Sequence, residues 1–312
     1  MPRLNARSVL AYALALGATL AAAHANAFCP SMSCRPALQS CDIRGSGQEK
    51  CVTSGKPLFR KSSCVSFSVQ QDGSLRHGID AAVFEQAVQD AFDRWLTVDC
   101  GGGVHPSIAV ENFGVVSCAE PQYNCTHGNA NIFMFEDETW TATEGGDPYA
   151  LTTVWFLPST GEIRDVDVEV NGTQTGIDWA APRDGVDLPS VLTHEVGHFL
   201  GLGHSPDDRA AVMRGGFTPG VDDLRVLTDD DVAGICSIYP ANRAISTNEC
   251  APRNGFASDC GPGDGEHCSF AAESGCCSTA PGRPEPLGLL AFSTLAAAAG
   301  LARARRKNRP QS

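Results

Sequence analysis

His194, Glu195, His198 and His204 are the residues of this 312-residue chain whose types and spacing point most directly to chemistry. On a helix, positions four apart lie about 400° round, so His194 and His198 leave one face, one turn apart. Two imidazoles so placed can chelate one Zn²⁺ at about 2.0–2.1 Å. Glu195 stands about 100° from His194. It can reach a water on the metal without being an easy ligand, which is the placement of a general base. A continuing helix would carry His204 about 9 Å along the axis and onto another face. The helix must therefore stop, and Gly201 offers the positive φ that a sharp turn needs. The chain can then double back and supply a third nitrogen. Three His ligands leave a fourth position open for water, the pattern of a catalytic zinc site.

The elements that position these residues are legible around them. The carrying helix is expected from Leu188, after Asp187, to Gly201. A helix at 80–96 has Asp80 as N-cap and one apolar stripe of Phe84, Val88, Ala91, Phe92 and Trp95. A third begins at Thr228 and ends near Tyr239, with Asp231 as a capping-box-like partner. Strand-like runs fall at 107–110, 130–135, 151–157 and 163–170. The last alternates: Ile163, Val166, Val168 and Val170 are apolar, while Asp165, Asp167 and Glu169 face the other way. Those three acids with Asn171 are candidates for a Ca²⁺ site, and a solvated strand face is the alternative. One helix, several strands and two helices imply an α+β or mixed α/β domain over residues 65–240.

Composition bounds the class. The net charge is -13. Removing the basic residues of the two ends leaves 16 bases against 36 acids over 28–302. That surface argues against a nucleic-acid partner. Fourteen cysteines place the chain in an oxidising compartment. Residues 1–27 read as a signal peptide: Arg3 and Arg7, an apolar run over 9–23, and the cleavage site Ala25-Asn26-Ala27. Residues 28–64 hold five cysteines and read as a disulfide-stapled leader outside the core. Residues 241–285 read as a Cys-rich linker, with Cys118 and Cys125 expected to form a local disulfide. Residues 286–312 read as a C-terminal membrane or sorting segment. There an uncharged run at 287–302 precedes the cluster Arg303, Arg305, Arg306, Lys307 and Arg309.

The eleven residues from His194 to His204 match H-E-x-x-H-x-x-G-x-x-H, and the chain here resembles the metzincin zinc proteases. Ser205 after the third His makes it similar to the matrixin, or matrix-metalloprotease-like, branch; astacin-like and adamalysin-like chains usually carry an acid there. Ala211-Val212-Met213-Arg214 resembles the Met-turn, which implies that Met213 is a hydrophobic floor and not a ligand. Residues 227–235 and Ile238-Tyr239-Pro240 resemble the closing helix, and Ala91-Phe92 with Trp95 the end of the first. The resemblance covers roughly 57–240. It implies a twisted, mainly parallel sheet with an antiparallel edge strand plus three helices. It also places the substrate-binding edge strand at 151–156 and the specificity wall at 214–226, where Phe217 and Val221 can line an apolar slot. The chain departs from the family in two ways. It carries no P-R-C-G-x-P-D latency segment, and it lacks the histidines of a second, structural zinc. The order Gly275-Cys276-Cys277, apolar run, basic cluster is similar to MYXO-CTERM sorting tails, and Pro284-Glu285-Pro286 to the PEP-CTERM type.

These readings converge on an exported or surface-anchored zinc endopeptidase. His194, His198 and His204 hold one catalytic Zn²⁺, and Glu195 is the base for a metal-activated water. The substrates are proteins or peptides, the membrane is met only through the C-terminal segment, and the enzyme is a monomer. The rival is an inert surface binding or adhesion protein on the same scaffold; such a binder has no need of Glu195.

Overall fold

Phe84, Val88, Ala91, Phe92 and Trp95 recur at helical spacing, and all five are buried along one face of a helix. The computed structural model in which they lie describes residues 28–36, 39–140, 148–173, 185–216, 223–263 and 275–278. The signal-peptide and C-terminal-segment readings, with Phe217 and Val221, lie outside the described residues. In chain order the strands are β1 (Cys29–Pro30), β2 (Ile43–Arg44), β3 (Cys51–Val52), β4 (Cys64–Gln70), β5 (Ala109–Val116), β6 (Ile132–Glu136), β7 (Ala150–Phe156), β8 (Ile163–Asn171), β9 (Leu202–Gly203) and β10 (Gly275–Ser278). The helices are α1 (Ala81–Leu96), α2 (Leu188–Phe199) and α3 (Asp229–Ile238).

The main sheet has the order β10-β7-β8-β6-β4-β5. β5, β4, β6 and β8 run parallel, and β7 lies antiparallel to β8. Parallel neighbours need a crossover, and α1 is the one between β4 and β5. One face of the sheet packs on α1 and α2. Phe67 stacks on Phe92 with centroids 5.3 Å apart, and Phe133 stacks on Phe199 at 5.7 Å. Val154, Phe156, Val166, Val168 and Val170 join the same core. Each fully buried aromatic of this kind contributes on the order of 2–3 kcal/mol. The three expected helices and the mixed α/β class are all present.

Four features depart from the expectations. β4 is the buried inner strand against β5 and β6, yet no strand was expected there. Its signal is the alternation of Val65, Phe67 and Val69 with Ser66 and Ser68, short and directly behind the Cys-rich segment. The acidic face of β8 is not solvated: Asp165 and Asp167 are 0% exposed and Glu169 5%. A second small core of Val116, Cys118, Ala130, Ile132 and Met134 forms apart from the helix-side core. Asp167 accepts hydrogen bonds from the Ile132 and Gln122 amides, both at 2.9 Å, so its oxygens have protein partners.

The N-terminal segment is not a separate leader either. Cys29, Cys51 and Leu58 are buried, and β1 pairs antiparallel with β9. The fourth departure is covalent. Cys118 joins Cys260, not Cys125, and Cys125 is disulfide-bonded elsewhere. The described pairs also include Cys29–Cys51, Cys34–Cys41, Cys64–Cys250 and Cys100–Cys236. Cys118 pairs far along the chain because residues 117–131 and 253–260 lie side by side: Ser117 donates to Ser258 O, and Asn129 Nδ2 donates to Arg253 O. Cross-links that close loops of such span remove about 4–5 kcal/mol of chain entropy from the unfolded state. Among the described residues, no helix is long and apolar enough to cross a membrane.

Candidate metal centre

α2 starts where its sequence says it should. Asp187 accepts the Ser190 amide at 3.0 Å, and Pro189 occupies the first turn, where a missing N–H costs nothing. Arg225 clasps the same carboxylate. Burial would raise the Asp187 pKa, but the Arg225 and Ser190 bonds outweigh it and hold it below the usual range. The far end stops at Gly201, which has φ 100°. A Cβ there would also sit 2.6 Å from the Leu58 carbonyl oxygen, so both conformation and contact demand glycine. Ser31 donates its amide to Gly201 O at 2.8 Å and its hydroxyl to Leu202 O at 3.0 Å. The Cys-rich N-terminal segment thus braces the turn that brings His204 back.

The result is the convergence that the spacing predicts. His194 Nδ1 donates to Val212 O at 2.7 Å, and His198 Nδ1 donates to Leu202 O at 2.8 Å. A carbonyl only accepts, so each proton sits on Nδ1 and each Nε2 presents a lone pair. His204 Nε2 lies 3.2 Å from His194 Nε2 and 3.2 Å from His198 Nε2. Nitrogens bound at about 2.0–2.1 Å on a tetrahedral centre are about 3.3–3.4 Å apart. Lone pairs at this separation repel unless a cation lies between them, so the donor set fits zinc. Burial, then the neighbouring His204, pushes the His194 pKa down to about 3. Burial, then His194, holds His198 well below its ordinary value. Both rings are therefore neutral at physiological pH, the state a metal requires.

Glu195 is 7% exposed and lies beside this centre on α2. Burial pushes its pKa up to about 7, against the effect of a hydrogen bond from Thr152. That bond, Thr152 Oγ1 to Glu195 Oε2, is 2.5 Å long. Sequence reasoning missed Thr152. Its only signal is parity: Thr152 shares a strand face with Val154 and Phe156, the face turned toward the helices.

Met213 packs from below. A Cβ on Gly197 would collide with Met213 Sδ and stand 2.9 Å from Trp95 Cζ2. Trp95 Nε1 in turn donates to Thr193 O at 2.7 Å, fixing the turn just before His194. Asp231, expected only as a cap, does a second job. It caps α3 with Thr228, and its two oxygens accept the amides of Val212 at 2.8 Å and Met213 at 3.1 Å. Ser205 after the third His donates its amide to Met213 O and its hydroxyl to Asp230. One closing helix thus holds the Met213 turn, and Ser205 ties that turn to the His204 loop.

Asp165, Asp167, Glu169 and Asn171 lie on β8, away from this centre. Among the described residues the groups whose ligand atoms converge within 4.8 Å are His194–His198–His204 and Cys64–Glu111–Cys250. The second holds a disulfide, and neither contains the β8 acids.

Residues 114–240 match the Matrixin family model. The fold is that of a matrixin-like metzincin. The matrixin-like chain is 46% identical over 166 residues to metalloendoproteinase 1 of Glycine max, covering 51% of this chain and 46% of that protein. It is 42% identical over 78 residues to metalloendoproteinase 1-MMP of Arabidopsis thaliana, covering 23% and 21%. It is 36% identical over 99 residues to the hatching enzyme of Paracentrotus lividus, covering 31% and 15%. The chain spans less than half the length of these relatives.

Proposed function

We propose that this chain is a zinc-dependent endopeptidase that hydrolyses peptide bonds of proteins outside the cytoplasm. The observation that carries the reading is the convergence of three imidazoles beside a buried carboxylate. His194, His198 and His204 would hold Zn²⁺, which when bound polarises the scissile carbonyl and lowers the pKa of water at its open position. Glu195 accepts the proton of the attacking water and returns it to the leaving amine. Burial raises its pKa to about 7, which favours taking up that proton. Thr152 holds the Glu195 carboxylate in one orientation. Met213 closes the floor so that the imidazole planes cannot tilt. The edge of β7 lays out an extended substrate by strand addition. The wall at 214–226 selects the residue after the scissile bond, with preference for a medium or large apolar side chain.

The names of the relatives, metalloendoproteinases among them, support this reading. Glu195 speaks against an inert binding scaffold. The described disulfides support export to an oxidising compartment, with residues 1–27 as the leader and 286–312 as a sorting or anchoring tail. The test is metal content together with casein cleavage by purified protein. About one zinc per chain and cleavage lost to a chelator and restored by zinc are expected; chelator-insensitive cleavage, or zinc without cleavage, would reject the reading.

A further inference from the structure

β7 is not the end of the sheet. β10, Gly275–Ser278, pairs antiparallel along its outer edge, with Gly275 opposite Phe156, Cys276 opposite Trp155, Cys277 opposite Val154 and Ser278 opposite Thr153. The next β7 residue is Thr152, whose hydroxyl is bonded to Glu195. The chain's own segment therefore lies on the strand edge that adjoins the candidate base.

A strand edge offers one row of unpaired N–H and C=O groups, and one occupant satisfies it. A peptide laid on β7 and β10 cannot both make that ladder. We propose that β10 is an internal competitor of substrate: Gly275–Ser278 occupies the β7 edge in the intact chain and must leave before an extended peptide is bound there. The inference rests on the peptidase reading, and it adds a self-inhibitory contact to it. The geometry favours competition over a permanent seal. β10 is short, and a four-residue strand adds only a few ladder bonds, each a weak net gain over hydrogen bonding to water. Its hold comes from tethering: Cys118–Cys260 pins the chain upstream, which keeps the segment near β7 at an effective concentration on the order of millimolar. Substrate KM values span about 1 μM to 1 mM, so such a tethered strand raises the apparent KM without blocking turnover.

The pairing supplies its own control. Along an antiparallel pair, successive residues point their N–H alternately toward and away from the partner. Gly275 and Ser278 have opposite parity, so one of the two N–H groups faces β7 and the other faces out. Proline removes an N–H and is tolerated where that group faces outward. Gly275→Pro and Ser278→Pro are therefore made separately in the full chain. The readouts are cleavage of a quenched fluorescent peptide with leucine after the scissile bond, and hydrogen exchange of the β7 amides. In one variant, KM should fall about threefold to tenfold at unchanged kcat, with faster exchange along 153–156; the other should match the parent. Parental KM and parental β7 exchange in both variants would overturn the proposal. Faster exchange with no change in KM overturns the inhibitory role while leaving the peptidase reading intact. Faster exchange in a protein that cleaves nothing overturns both.

Discussion

Thr152 on β7 and Glu195 on α2 share a 2.5 Å hydrogen bond, so the strand antiparallel to β8 and the helix bearing two of the imidazoles are joined at the carboxylate itself. Removing the donor leaves a buried carboxylate with one partner fewer. Thr152→Val keeps the shape and deletes the hydroxyl. A hydrogen bond to a charged group contributes about 1.5–3 kcal/mol, so kcat should fall roughly 10- to 100-fold with KM little changed. Thr152→Ser should restore most of it. Steady-state kinetics on one peptide substrate decide; equal kcat for the Val and Ser variants would show that the hydroxyl does nothing for catalysis.

Glu195→Gln replaces the base with a nearly isosteric amide and leaves the three imidazoles untouched. Turnover should drop by about 10²–10⁴-fold while zinc content stays near that of the parent. Metal analysis and activity are measured on the same preparation. Near-parental activity would sink the assigned role.

Gly197→Ala should destabilise the fold, although alanine is the better helix former. The added methyl has nowhere to go: it meets Met213 Sδ and lies 2.9 Å from Trp95 Cζ2. Overpacking typically costs about 1–3 kcal/mol. A lower thermal midpoint in the metal-free protein is expected, and an unchanged or higher one would show that Met213 does not press on the helix.

Asp165 gives a pH prediction. Burial, then the charge of Asp167, holds its carboxyl well above the ordinary 3.8. A raised folded pKa means that the unfolded chain gives up this proton first. The associated stability is fully present below the unfolded pKa and is lost as pH rises toward the folded one. The slope is about 1.4 kcal/mol per pH unit for one proton. Asp165→Asn cannot lose that proton. Its thermal midpoint relative to the parent should therefore climb steadily from pH 4 upward. Parallel midpoint curves for the two proteins would contradict the raised pKa.

The geometry of the candidate centre was largely legible because its logic is local. Positions 194 and 198 share a helix face by arithmetic alone, Asp187 and Thr228 announce helix starts, and a glycine at 201 is what a stop before His204 requires. Those features depend on residues within one or two turns of each other, and the structure places them as expected. The tertiary structure alone decided the rest, because each remaining feature joins residues far apart in the chain. Alternation says that Asp165, Asp167 and Glu169 share a face of β8, but not that other segments would bury it. Cysteine spacing suggested Cys118 with Cys125, while the packing of distant segments gave Cys118 with Cys260. Composition made residues 28–64 look like a detached leader, yet they brace the turn before His204. Thr152 beside Glu195, Asp231 under the Met213 turn and β10 on β7 are likewise contacts between elements. Short-range periodicity fixes which way a side chain points from its own helix or strand; what it meets there is set by how the whole chain closes on itself.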